Sequence, residues 1–365
     1  MISGPSDGIR AAEKQRWRLP GLFPTTVVGS YPQPGWLVNR AVLTGGNVPR
    51  VSANGFWNVE PELLAEAQDD ATRVAIRDME KAGIDIISDG EIRRDSYSNH
   101  FMLSLEGIDE SDPFLARREN GVVSKLPRVT GPIRWRRPVE LDGARFLRDN
   151  SDRRIKVTLP GPFTLSQLSH DEHYGDPEAL ALAFAEAVNQ EARLLEELSV
   201  DVVQLDEPYL RNAPDAANAF GVRAIDRALE GLQVTTAIHL CFGYGFLSHH
   251  GKPNHYAFLG QLADCRAEQI SIEAAQPGID LGALADLAPK TILLGVLALD
   301  RNAAIETGEQ VAGRLRSALP FVDAERLIPA PDCGMKYLDR ATAFTKLKAL
   351  AEGAALLRAE LGGSV

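Results

Sequence analysis

Cysteine is scarce: the 365-residue chain holds three, Cys241, Cys265 and Cys333. So small an odd number excludes an evenly paired secreted disulfide framework and leaves free thiols that a reducing compartment keeps available for metal or catalysis. Long apolar runs are missing as well. Nowhere do about 18 uncharged apolar residues follow one another, and the opening stretch MISGPSDGIRAAEKQRWRLPG has no apolar segment of the signal-peptide kind. The expectation is a cytoplasmic protein. Positive charge is in the minority, with 39 Lys and Arg against 50 Asp and Glu and a net charge of −11. That balance repels nucleic acid phosphates and anionic membrane surfaces alike, so neither is expected as a partner. The basic stretch RWRRP at 134–138 reads as a solvated loop. Two motifs are absent too. VVGSYP after the first apolar run carries a single glycine, not a dinucleotide-binding loop, and no C-x2-C pair exists to build a zinc knuckle.

What is present is an ordinary globular composition, 44% hydrophobic and 24% charged, with ample material for a core. From about residue 23, short β-rich runs alternate with longer helical patterns. TTVVGSYP (25–32) precedes PELLAEAQDDATRVAIRDMEKAG (61–83), whose apolar residues recur at helical spacing, and IDIISDGE (84–91) is the next strand. A less regular stretch over 98–150 reads as an excursion from the repeat. Alternation then resumes with strands at 155–162, 200–208, 235–243, 268–275, 291–299 and 326–333, separated by helices at 177–198, 215–231, 257–264, 280–287 and 305–318 and followed by one near 340–360. Eight near-continuously apolar strands, each trailed by a helix, predict an α/β fold: a (β/α)8 TIM barrel with an inserted excursion after strand two. The division expected is an N-terminal extension over 1–22 and one barrel over 23–365. An open doubly wound sheet is the alternative architecture.

A barrel of this kind carries its active site at the C-terminal strand ends, and polar residues collect there. Strand one ends in Gly29 and Ser30, strand two in Asp89 and Glu91, strand four in Asp206 and Glu207, strand five in His239 and Cys241, strand six in Glu273, and strand eight in Asp332 and Cys333. His239, Cys241, Glu273 and Cys333 together offer one imidazole, one carboxylate and two thiolates, a set suited to tetrahedral zinc and unsuited to magnesium or calcium. Singly, each has a plainer reading: a buried cysteine is a small hydrophobe, and a lone histidine is hydrogen-bonded structure. Cys265, in a helix away from the strand ends, keeps that reading. Zinc with two sulfur donors is a weak Lewis acid for hydrolysis but can bind a substrate thiol and hold it as thiolate, so alkyl transfer to sulfur follows. Glu91 and Asp206 could flank an ammonium group while Gly29 and Ser30 hold a carboxylate; their alternative is helix capping or salt bridging at the barrel rim. Glu207 points to the other strand face and reads as a brace. His170, His173, His249, His250 and His255 read as loop residues.

These segments carry a resemblance. FPTTVVGSYP, DGEIRRDSYSNHF, VVQLDEPYL, IHLCFG, ISIEAA and APDCGMKYL occur in one order, and from Phe23 onward the chain resembles the catalytic, C-terminal half of cobalamin-independent methionine synthases. The resemblance implies a zinc-dependent barrel that methylates homocysteine sulfur, with zinc on His239, Cys241, Glu273 and Cys333. It places homocysteine on Val28, Gly29 and Ser30, with Glu91 and Asp206 at its amine. It also exposes departures. The chain leaves no room for the N-terminal barrel of the long synthases. Leu168 stands where the family stacks folate on tryptophan, Asn212 where an acid meets the pterin, and Asp300 where a histidine delivers a proton. The acceptor half is intact and the donor half altered, so the donor is expected to be methyl-folate or a methylated corrinoid, including one carried by a corrinoid protein. Short barrels related to this one also include epoxyalkane:coenzyme M transferases, and a zinc- or thiol-binding barrel without turnover is the reading outside enzymes.

Overall fold

The computed structural model describes residues 18–45, 55–117, 123–242, 255–256, 259–300 and 304–362. Among the described residues ten strands are formed: β1 (Ile86–Ile87), β2 (Glu106–Arg117), β3 (Val123–Arg134), β4 (Arg154–Pro160), β5 (His170–Asp171), β6 (Val202–Asp206), β7 (Thr235–Leu240), β8 (Gln269–Ile272), β9 (Thr291–Leu297) and β10 (Leu327–Pro331). Seven of them make one parallel sheet in the order β1-β4-β6-β7-β8-β9-β10. Parallel neighbours need a crossover each, and the intervening helices cover the outer face, so the strands are buried throughout.

Barrel closure falls to Thr25 and Thr26. The Thr26 amide donates to Pro329 O on β10 at 3.0 Å, and the Ile86 amide on β1 donates to Thr25 O at 2.9 Å. The strand expected over 25–32 therefore shrinks to a single bridge. Its ladder bonds are taken by side chains: the Thr25 amide and hydroxyl both donate to Asp85 Oδ2, at 2.8 and 2.9 Å. Strand two is shortened for the same reason. Past Ile87 the Ser88 hydroxyl donates to Gly29 O at 2.5 Å, and Gly90 and Glu91 turn the chain at φ of 70° and 52°.

The stretch 98–150, expected to be irregular, contains a long antiparallel hairpin of β2 and β3, with β5 added alongside β3. Its alternation is unreadable because β2 has no buried residue on either face, which removes the apolar period on which a strand is recognised. The expected helix 215–231 is broken into Pro214–Ala216, a π-turn over Ala217–Gly221 and Val222–Ala228, and 280–287 tightens to a 3-10 turn over Leu281–Leu287. Of the helix expected over 257–264 the structure shows Leu259–Leu262. The long helices fall where the apolar spacing sets them. Pro61–Ala82 buries Ala71, Ala75, Ile76 and Met79 on one stripe and stops at Gly83, in the left-handed region at φ 88°. Asp176 and Asp339 cap Pro177–Glu197 and Arg340–Glu360 through side-chain oxygens. No helix among the described residues is long and apolar enough to cross a membrane.

Candidate metal centre and acceptor site

Three of the four expected metal ligands converge. His239 lies on β7, Cys241 just past its end and Cys333 just past β10, and their ligand atoms lie within 4.8 Å of one another, all buried. Neither cysteine is in a disulfide, and the sulfurs lie 3.1 Å apart with one S–H donating to the other. His239 Nδ1 is bonded to Ser271 Oγ at 2.9 Å, which fixes the ring and commits Nε2 to the other side. Glu273 stands outside that trio. It is fully buried one residue past β8, and its Oε1 accepts the amide of Phe242, next to Cys241, at 2.9 Å. The loop that carries Glu273 is held beside Cys333 by Asp332, whose carboxylate accepts the amides of Ala274, Ala275 and Gln276 at 3.0, 2.9 and 2.6 Å. Gly295 makes that approach possible, since a Cβ there would sit 2.8 Å from Asp332 Cα.

Beside this cluster lies a second buried group. The loop after Cys333 is tied to the first strand end by the Met335 amide donating to Ser30 O at 2.8 Å. Ser30 Oγ is buried and makes no hydrogen bond among the described residues. Glu91 presses against Gly29 so closely that a Cβ at 29 would overlap its Oε1, and that oxygen accepts the Thr158 hydroxyl at 2.9 Å. Across from it, Asp206 Oδ1 accepts Gln204 Nε2 at 2.8 Å, and the same amide nitrogen donates to Val28 O at 3.0 Å. Burial and the charge of Glu91 push the Asp206 carboxyl up to about 7. An ammonium group placed beside Asp206 would relieve the burial and the repulsion that raise it. Thus Val28, Gly29, Ser30, Glu91 and Asp206 form one wall next to the His239, Cys241 and Cys333 cluster.

The other expected residues sort clearly. Glu207 braces β6: its carboxylate accepts the Phe163 and Thr164 amides at 3.0 and 2.8 Å, and burial raises it to about 7. Asp300 is half-buried beyond β9 and lies outside the ligand trio, with 301–303 beyond the described residues. Leu168 is buried at the end of the short helix Pro162–Gln167. Cys265 is buried away from the site, its thiol pushed up by that burial. His170 stacks on Phe114, while His249 and His250 lie outside the described residues. Missed from the sequence were Lys156, Thr158, Gln204, Ser271, Arg94 and Glu140. The first four sit among apolar neighbours in buried strands, and period-two polar residues (Lys156 with Thr158, Gln204 with Asp206) mark the inward face.

A (β/α)8 barrel whose strand ends gather a His–Cys–Cys donor set beside a buried acid pair defines a barrel of the enzyme type with a candidate thiolate-rich metal site. The comparisons with known proteins narrow this. Residues 23–356 match the family described as "Cobalamin-independent synthase, Catalytic domain". A methionine synthase of Thermococcus kodakarensis is 33% identical over 93% of this chain and 95% of its own length, and one of Sulfolobus acidocaldarius is 31% identical over 93% and 94%. The solved structure of a B12-independent methionine synthase from Shewanella sp., in complex with selenomethionine, superposes with a TM-score of 0.83 at 34% identity, over 93% of this chain and 99% of that one. The chain belongs to the cobalamin-independent methionine synthase family and is a methyltransferase.

Proposed function

We propose that the chain transfers a methyl group to the sulfur of homocysteine, using zinc held by His239, Cys241, Glu273 and Cys333. The observation that carries this reading is the convergence of His239, Cys241 and Cys333 within 4.8 Å at the strand ends, beside the Glu91 and Asp206 wall. The donor set fits the metal: two sulfurs and one imidazole nitrogen are preferred zinc ligands, and Glu273 supplies a carboxylate from the adjoining loop. Zinc bound there would lower the pKa of a coordinated thiol and keep it nucleophilic at neutral pH.

The chain's own residues do the rest. Glu91 and Asp206 hold the substrate ammonium, and their two negative charges favour an amino-thiol over an uncharged one. The Ser30 hydroxyl and the backbone of Val28 to Ser30 hold the carboxylate, and so orient the sulfur toward the ligand trio. Ser271 keeps the His239 ring in place. Asp300 is assigned proton delivery to the departing donor. We place the whole activity on one unit over 23–365, with 98–150 inserted, in the cytoplasm, where thiols stay reduced. Leu168 offers no aromatic face for a pterin, so the donor is either methyl-folate bound without that stack or a methylated corrinoid. The test is methionine formation from homocysteine by the zinc-loaded protein with methyltetrahydrofolate, as mono- and polyglutamate, compared with methylcobalamin. Turnover with one of these supports the reading. Stoichiometric zinc without methionine from any of them overturns it.

A further inference from the structure

We infer that Arg94 and Thr158 are positioning residues that aim the Glu91 carboxylate at the ammonium of an amino-thiol, an inference that rests on the reading of Glu91 given above. Arg94 is buried, and its guanidinium makes a long ion pair with Glu91, Nη1 3.8 Å from Oε1 and beyond hydrogen-bond distance. The same Nη1 donates to Thr158 Oγ1 at 2.9 Å, and Thr158 Oγ1 lies 2.9 Å from Glu91 Oε1. A hydroxyl has one proton. Because Arg94 can only donate, that proton must point at Glu91, and the arginine thereby fixes the direction of the bond that holds the carboxylate. Arg94 cannot swing away. Its Nη2 is held by Thr158 O at 2.8 Å and by Glu140 Oε2 at 3.0 Å.

Glu140 comes from the inserted stretch, and it is anchored through its own amide, which donates to Glu191 Oε1 at 2.8 Å. The guanidinium keeps its charge in the interior, as arginine does, with Glu140 and Glu91 beside it. The opposite acid is held by the same design. Lys156 Nζ donates to Gln204 Oε1 at 3.0 Å, and Gln204 Nε2 donates to Asp206 Oδ1 at 2.8 Å. In each case the hydrogen bond that orients the carboxylate comes from one neutral side chain, itself held by a buried cation, and the Arg94–Glu91 ion pair is left long at 3.8 Å, so Glu91 can still receive an ammonium.

The experiment measures binding of homocysteine and of its des-amino analogue, 4-sulfanylbutanoate, to the zinc-loaded protein by calorimetry. Wild type should prefer homocysteine by about 10- to 100-fold, the value of charge-assisted hydrogen bonds to the amine. Thr158→Val should cut that preference about tenfold by weakening homocysteine alone, Thr158→Ser should keep it, and Arg94→Lys should follow Thr158→Val. Equal weakening of both thiols, or none, in the Thr158→Val and Arg94→Lys proteins would overturn the positioning role while leaving Glu91 as the amine site. Equal affinities in wild type would overturn the assignment of Glu91 and Asp206 to the amine, and this inference with it.

Discussion

Adding one methyl group at Gly29 should damage the acceptor site without touching the metal. The new Cβ would overlap Glu91 Oε1 and stand 2.9 Å from Thr158 Cγ2. Something must move, and the neighbours leave little room. Thr158 is paired with Gln204 on β6 and held on its other side by Arg94, and Glu91 sits at a positive φ of 52° with its Oε1 held by the Thr158 hydroxyl. The carboxylate is therefore pushed off its line to the ammonium. Losing one charge-assisted hydrogen bond costs about 1.5–3 kcal/mol, which is about 10- to 150-fold in kcat/KM at 1.36 kcal/mol per decade. Because this contact is made to the bound substrate as well as to the transition state, the loss should fall on KM for homocysteine. Steady-state kinetics of Gly29→Ala, with zinc content measured by elemental analysis on the same preparation, provides the assay. The expectation is raised KM with one zinc retained. A variant that keeps the wild-type KM would refute the packing of Glu91 on Gly29, and one that loses its zinc would show that the two halves of the site are not separable in this way.

Other perturbations probe different links. Ser271→Ala removes the partner of His239 Nδ1 and should weaken zinc about 10- to 100-fold in chelator competition; unchanged affinity would argue that the ring is oriented otherwise. Burial pushes the Glu140 carboxyl up to about 8 even with Arg94 beside it, above the 4.5 of an exposed glutamate. The folded state then binds a proton that the unfolded chain has released, so wild-type stability relative to Glu140→Gln should fall as pH rises from 4.5 to 8, by at most about 1.4 kcal/mol per pH unit. Urea denaturation of both proteins across that range tests the sign, and a difference that is flat or grows with pH would contradict it. Remote from the site, Lys346 and Glu306 form a buried ion pair with Nζ to Oε2 at 2.6 Å. Lys346→Met leaves the carboxylate buried without its ammonium and should cost about 3–5 kcal/mol of stability in urea, with zinc content unchanged; a loss under about 1 kcal/mol would show that Arg314, whose Nη1 lies 3.1 Å from Glu306 Oε1, alone suffices.

The barrel and its reactive end were legible because they obey local rules. Apolar strands at regular spacing imply parallel pairing, and a polar residue at a strand end has only one place to go. His239, Cys241 and Cys333 could thus be set beside one another from order alone. What stayed hidden depends on contacts distant in sequence. Arg94 and Thr158 are 64 residues apart, and Lys156 and Gln204 are 48 apart. Nothing in the spacing of either pair announces the bond. The β2 and β3 hairpin escaped for the opposite reason, since β2 buries no residue on either face and so shows no hydrophobic period. Closure of the barrel through Thr25 and Thr26 was overestimated as a full strand because an apolar run cannot show that Asp85 takes its hydrogen bonds.

The proposed reaction requires the thiol substrate to join the two protein sulfurs on one zinc ion. Zinc X-ray absorption of the loaded protein counts those sulfurs directly. Two are expected before homocysteine is added and three afterwards, with Cys241→Ser and Cys333→Ser each giving one fewer. A count that stays at two when homocysteine is bound would contradict the account, because the sulfur to be methylated would then not be at the metal.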